Sequence, residues 1–135
     1  MEIKPTEIQG TAPDGAGFRF YKVDFVDKLV VGIVVDGVMD ALFDLPLSTL
    51  KVIDEGVMKE DSLGVEPVVL VGDPQNLKLQ VVAGQIGKVI YSLGNRKNVI
   101  LSMGLRWWGR DTEEGDFDKL VFVLEKVREL VGSRG

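Results

Sequence analysis

The sequence predicts an α/β fold: a small, mostly parallel sheet flanked by helices, led by an N-terminal antiparallel hairpin and closed by an amphipathic helix over 116–132. Three observations carry that expectation. The run 29–35 is almost wholly aliphatic, as in a strand buried on both faces. Apolar positions recur at helical spacing over 74–93 and again over 116–132. Strand-like and helix-like segments alternate along the chain, and that order gives a parallel sheet with right-handed crossovers.

The first elements are strands. Residues 18–25 (FRFYKVDF) are β-branched and aromatic with a polar side, and Asp27-Lys28 suits a turn into 29–35. A short strand is expected over 2–9, interrupted by Pro5, and 9–17 (QGTAPDGAG) reads as a turn or flexible loop. Residues 37–45 are mixed and are expected to begin a helical stretch that Pro46 breaks. After a Ser48 cap, Leu50, Ile53 and Val57 continue at helical spacing. Residues 67–71 (PVVLV) then predict a short buried strand.

The segment 74–93 decides the fold class. As a helix it places Leu79, Val82, Ala83, Ile86, Val89, Ile90 and Leu93 on one arc, with Asp73 as N-cap, Pro74 in the first position and Gly94-Asn95 at the end. Leu77 and Val81 fall off that arc. Read instead as strands, the chain becomes α+β, an antiparallel meander over 77–105 plus the C-terminal helix. Signals at both ends favour the helix. Residues 98–103 (NVILSM) form the next strand. The last helix is the clearest: Phe117, Leu120, Leu124, Val127 and Val131 step by three and four, from Asp116 to a stop at Gly132.

Composition narrows the function. At 135 residues, 45% hydrophobic and 27% charged, the chain has the size and make-up of one globular domain spanning 1–135. It has no cysteine and no histidine, which excludes thiolate and imidazole catalysis and the usual zinc sites. The net charge of −5 makes nucleic acid and anionic membranes poor partners. The start Met1-Glu2-Ile3-Lys4 is polar, so no signal peptide is expected, and a cytoplasmic location follows.

Several near-matches fail on their chemistry. Gly84-Gln85-Ile86-Gly87-Lys88 lacks the glycine and the hydroxyl residue of a phosphate loop: Val82 and Val89 stand there. Gly15-Ala16-Gly17 lacks the third glycine of a dinucleotide fingerprint. Asp36-Gly37 has Val34 where an aspartyl phosphotransferase carries its nucleophile. The acids Asp111, Glu113, Glu114, Asp116 and Asp118 have neither the glycine nor the final glutamate spacing of a calcium loop, and they suit the approach to a helix N-terminus.

One constellation remains. Ligands of open parallel sheets sit beyond the strand C-termini. There this chain places Asp36, Asp73 and the loop Arg106-Trp107-Trp108-Gly109-Arg110. Tryptophans between arginines are characteristic of contact surfaces. The expected function is a non-catalytic module that binds a protein partner or its own copy, with no catalytic residue, metal or cofactor. The contact residues would be Asp36, Asp73, Arg106, Trp107, Trp108 and Arg110. The competing expectation is a small-ligand or divalent-metal-assisted enzyme built on Asp36 and Asp73.

Overall fold

The computed structural model describes residues 6–47, 66–104, 108 and 114–132. In chain order these form β1 (Thr6–Thr11), β2 (Gly17–Asp24), β3 (Lys28–Val35), β4 (Ala41–Leu45), β5 (Val68–Val71), α1 (Leu77–Ser92), β6 (Asn98–Met103) and α2 (Asp116–Val131). The strands make one sheet in the order β1-β2-β3-β6-β4-β5. Among the described residues only β3 and β6 pair in parallel, while β1–β2, β2–β3, β4–β6 and β4–β5 are antiparallel.

The sheet is therefore mixed and mostly antiparallel, and the mostly parallel sheet expected from sequence is wrong. The cause is β4. Its five residues, Ala41-Leu42-Phe43-Asp44-Leu45, were expected in a helical stretch, yet Ala41, Phe43 and Leu45 alternate into the core as a strand. That strand enters between β6 and β5 running against both. The α+β class is the right one, although its meander over 77–105 is not, because 77–92 is helical as favoured. The expected helix around 50–59 lies outside the described residues. β5 was expected to be buried; it is the edge strand, with Val68, Leu70 and Val71 exposed.

Alternation sorts the side chains between two faces. One face carries Ile8, Phe20, Ile33, Met103 and Ala41 in a row across paired strands, with Val31, Leu101 and Phe43 in the next. Both helices cover this face, α2 over β1 and β2 and α1 over β4, and they pack against each other. Phe122 of α2 meets Phe18 edge-on at 5.1 Å between ring centres, and Phe18 stacks on Phe20 at 5.5 Å. Lys22 donates to the Val131 carbonyl at 3.3 Å, placing a cation at the negative end of α2.

α1 starts later than the sequence suggests. Asp73 is not its cap: that carboxylate accepts from the Gln75 N–H at 2.9 Å, closing a tight turn around Pro74. The buried Asn76 caps the helix instead, accepting from the Leu79 N–H at 3.1 Å. α2 is preceded by Gly115 without a side-chain cap, and Asp116 and Asp118 supply negative charge in its first turn.

Candidate functional site

Of the sequence-derived site residues, Asp36, Asp73 and Trp108 are described, and the two carboxylates lie apart. β3, β6 and β5 do point their C-terminal ends to the same edge, since β5 and β6 both run against β4. Between Asp36, after β3, and Asp73, after β5, however, lie two intervening strands and three strand spacings, about 14 Å at ~4.8 Å each. No ion bridges that gap, and the described residues contain no group of three or more potential metal ligands.

Each carboxylate also has a structural task. Asp36 and Gly37 both take left-handed backbone, φ 48 and 80, and form a two-residue hairpin turn closed by hydrogen bonds between Val35 and Val38. The Asp36 carboxylate accepts from the Gly17 N–H at 2.9 Å, and its own N–H donates to the Gly17 carbonyl at 2.8 Å. Asp73 holds the turn into α1. Trp108 is fully buried and joins the core, so it offers no side chain to a partner. Arg106, Trp107 and Arg110 lie outside the described residues.

Two apolar surfaces stand out instead. The first is the sheet face turned away from the helices. Paired residues carry one row Glu7, Tyr21, Gly32, Ser102, Leu42 and Val71, and another Val23, Val30, Ile100, Asp44 and Val68. No described element packs on it. Its centre is largely apolar and half-buried, and its β1–β2 edge is charged, with Arg19 and Glu7 paired at 3.3 Å. A largely apolar face that stays charged on one edge and exposes Val68 and Val71 on the other suits a protein contact. Gly32 has a specific reason here. The Tyr21 ring lies across it so closely that a Cβ at position 32 would come within 2.1 Å of Tyr21 Cζ, and the Tyr21 hydroxyl reaches Met39 Sδ at 3.6 Å.

The second surface is a cleft of about 800 Å³ between the first turns of α1 and α2, lined by Leu77, Val81 and Val82 on one side and Phe117 and Leu120 on the other, with Trp108 below. Lys78 joins its walls. It pairs with the Asp116 carboxylate at 2.8 Å, both groups mostly buried, and donates to the Trp108 carbonyl.

A family model for 20S proteasome chaperone assembly proteins 3 and 4 matches residues 4–128. The chain belongs to that family. Among solved structures its fold is similar to a chain in the crystal structure of a novel chaperone complex for yeast 20S proteasome assembly, with a TM-score of 0.78 over 96% of this chain and 99% of that one. The two share 23% identity, so the likeness speaks for the fold. No curated protein matches the chain in sequence. Family membership supports the partner-binding, non-catalytic role expected from sequence over the carboxylate enzyme. No helix among the described residues is long and apolar enough to cross a membrane.

The sequence reading missed both surfaces. The open face was hidden because 29–35 is buried at every position except the half-buried Val30, as expected from sequence, and gives no sign of the less covered strands beside it. The cleft did leave a signal, the two residues, Leu77 and Val81, that fell off the helical arc.

Proposed function

We propose that this chain is a non-catalytic assembly chaperone for the 20S proteasome, working as one half of a complex with a related chain of the same family. The open sheet face is the surface that carries this reading. Helices cover one side of the sheet, and the other side keeps Val23, Val30, Ile100 and Leu42 only half-buried. A strand face intended for water alternates to polar residues; here Ser102 and Asp44 are outnumbered by apolar neighbours. A second sheet of similar shape, packed about 10 Å away, buries such a face as a sandwich does.

Two findings favour a related but different chain over a second copy. The family description names two proteins, 3 and 4, and the similar solved structure is of a chaperone complex. Self-association through an outer tryptophan of the 106–110 loop, the arrangement expected from sequence, has no such finding behind it. Multi-angle light scattering tests the reading, with the chain alone, mixed with the second family member of the same source, and mixed with purified 20S subunits. A 1:1 complex with the related chain that also captures a 20S subunit is expected. A chain that joins neither would overturn the proposal.

A further inference from the structure

We propose that the cleft between the first turns of α1 and α2 is the client-contact site, and that it takes a short segment of a 20S subunit led by a large apolar side chain with a lysine or arginine beside it. The inference rests on the chaperone reading and adds to it a second surface, separate from the open sheet face.

The exposure of the cleft walls is the starting point. Leu77 is 70% exposed, Val81 61% and Phe117 73%. Leu77 and Val81 are four residues apart on α1, and Phe117 and Val121 are four apart on α2, so each helix presents a two-residue ladder. Leu77, Val81 and Phe117 line the same cleft between the packed helices. Scattered single apolar residues on a surface need no explanation, but clustered ones around a concavity mark a contact site. α1 has ample apolar residues on its core arc, so Leu77 and Val81 are not needed for folding. Phe117 continues the apolar spacing of α2 into the first turn and yet stands in solvent.

The floor is held in place. Lys78 ties α1 to Asp116 of α2 and to the Trp108 carbonyl, and Asn76 fixes the first turn of α1. A cleft whose walls are already fastened loses little freedom on binding. Its dimensions suit a few side chains of a helix or extended segment laid in a groove, not a whole domain face.

Charge decides the chemistry of that segment. Among the described lining residues the only cation is Lys78, and it is paired. Glu114 and Asp118 are exposed next to Phe117, and the chain carries a net −5. An apolar cleft with this rim attracts a segment with cationic flanks and repels an acidic one. Because both helices lie on the side opposite the open face, the related chain and the client can be held together.

The test uses the complex of this chain with its related chain, titrated with individually purified 20S subunits of the same source at low and high salt. One subunit binds the wild-type complex, more weakly as salt rises. Phe117→Asp and Val81→Asp each weaken that binding about thirty-fold or more, as loss of an anchor contact does, and Asp118→Lys weakens it a few-fold and flattens the salt dependence. Pairing with the related chain and the thermal unfolding of each variant stay as in wild type, since all three positions are exposed. Unchanged client affinity in Phe117→Asp and Val81→Asp would overturn the cleft assignment and leave the chaperone reading standing. Loss of pairing in those variants would overturn it too, making the cleft part of the dimer contact. Binding that ignores salt would overturn the cationic segment. If no 20S subunit binds at all, the chaperone reading itself falls.

Discussion

The two faces of the sheet are built from the same strands and differ in what covers them. On β6, Val99, Leu101 and Met103 are fully buried beneath the helices, while Ile100 and Ser102, alternating with them, face outward half-covered. β4 repeats the pattern, with Ala41, Phe43 and Leu45 buried and Leu42 and Asp44 half-buried. If the outer face served only to meet water, its centre would be polar. Instead valines, an isoleucine, a leucine and a tyrosine laid over a glycine outnumber Ser102 and Asp44 there. The closed face is a finished core, and the open face has the composition of an interior with one layer absent among the described residues. That difference is the physical case for a partner chain.

Neighbouring substitutions on β6 should separate the faces most sharply. Leu101→Ala removes a fully buried side chain and is expected to lower stability by about 2–5 kcal/mol in urea unfolding. Ile100→Ala, half-buried, should cost about 1 kcal/mol in the isolated chain. Equal losses would show that the open face is as closed as the other. Gly32→Ala forces a methyl into the Tyr21 ring, with an expected cost of about 1–3 kcal/mol. In a double-mutant cycle, Tyr21→Ala should return most of that loss; an additive pair would mean that the ring does not lie on Gly32. On the closed side, Asn76→Ala removes the cap of the helix that roofs β4, and about 1 kcal/mol should go with it. The smallest effect is expected at Asp36→Asn, within about 0.5 kcal/mol. The amide oxygen still accepts from the Gly17 N–H, and asparagine tolerates left-handed backbone. A large loss of partner affinity in Asp36→Asn would restore that carboxylate as a contact group.

Much of the fold was legible where periodicity was long. α2 and β6 fall where the sequence places them, and the β2–β3 hairpin differs only in its turn, which runs through Phe25-Val26-Asp27. α1 was recognisable from its arc, although its start moved to Asn76 because a proline turn after an aspartate looks like a capped helix from sequence alone. Short elements were the weak point. β4 is only five residues, in which Ala41 and Asp44 disfavour a strand and Phe43 favours one, and its strand character comes from the places waiting for it beside β6 and β5. One inserted strand reverses the chain direction, so that single misreading turned an α+β sheet into a parallel one. The site was less legible than the fold. Asp36 and Asp73 drew attention as carboxylates at strand ends, and both serve turns. The Trp107-Trp108 pair left room for one tryptophan in the core, and Trp108 is buried there. The surfaces that carry the proposals are made of ordinary valines, leucines and phenylalanines, whose importance lies only in what does not cover them.

Whether the open face is an interface is decided by sedimentation velocity on mixtures of this chain with its related family member, run for wild type and for Ile100→Lys. Ile100 sits at the centre of that face with its neighbours Val30 and Asp44 on either side, and a lysine there reaches solvent in the free chain but is trapped in a sandwich. Wild type should sediment as a 1:1 complex, and Ile100→Lys as separate, folded chains with an affinity lower by about a hundredfold or more. A variant that pairs as tightly as wild type would contradict the reading and place the partner on another surface.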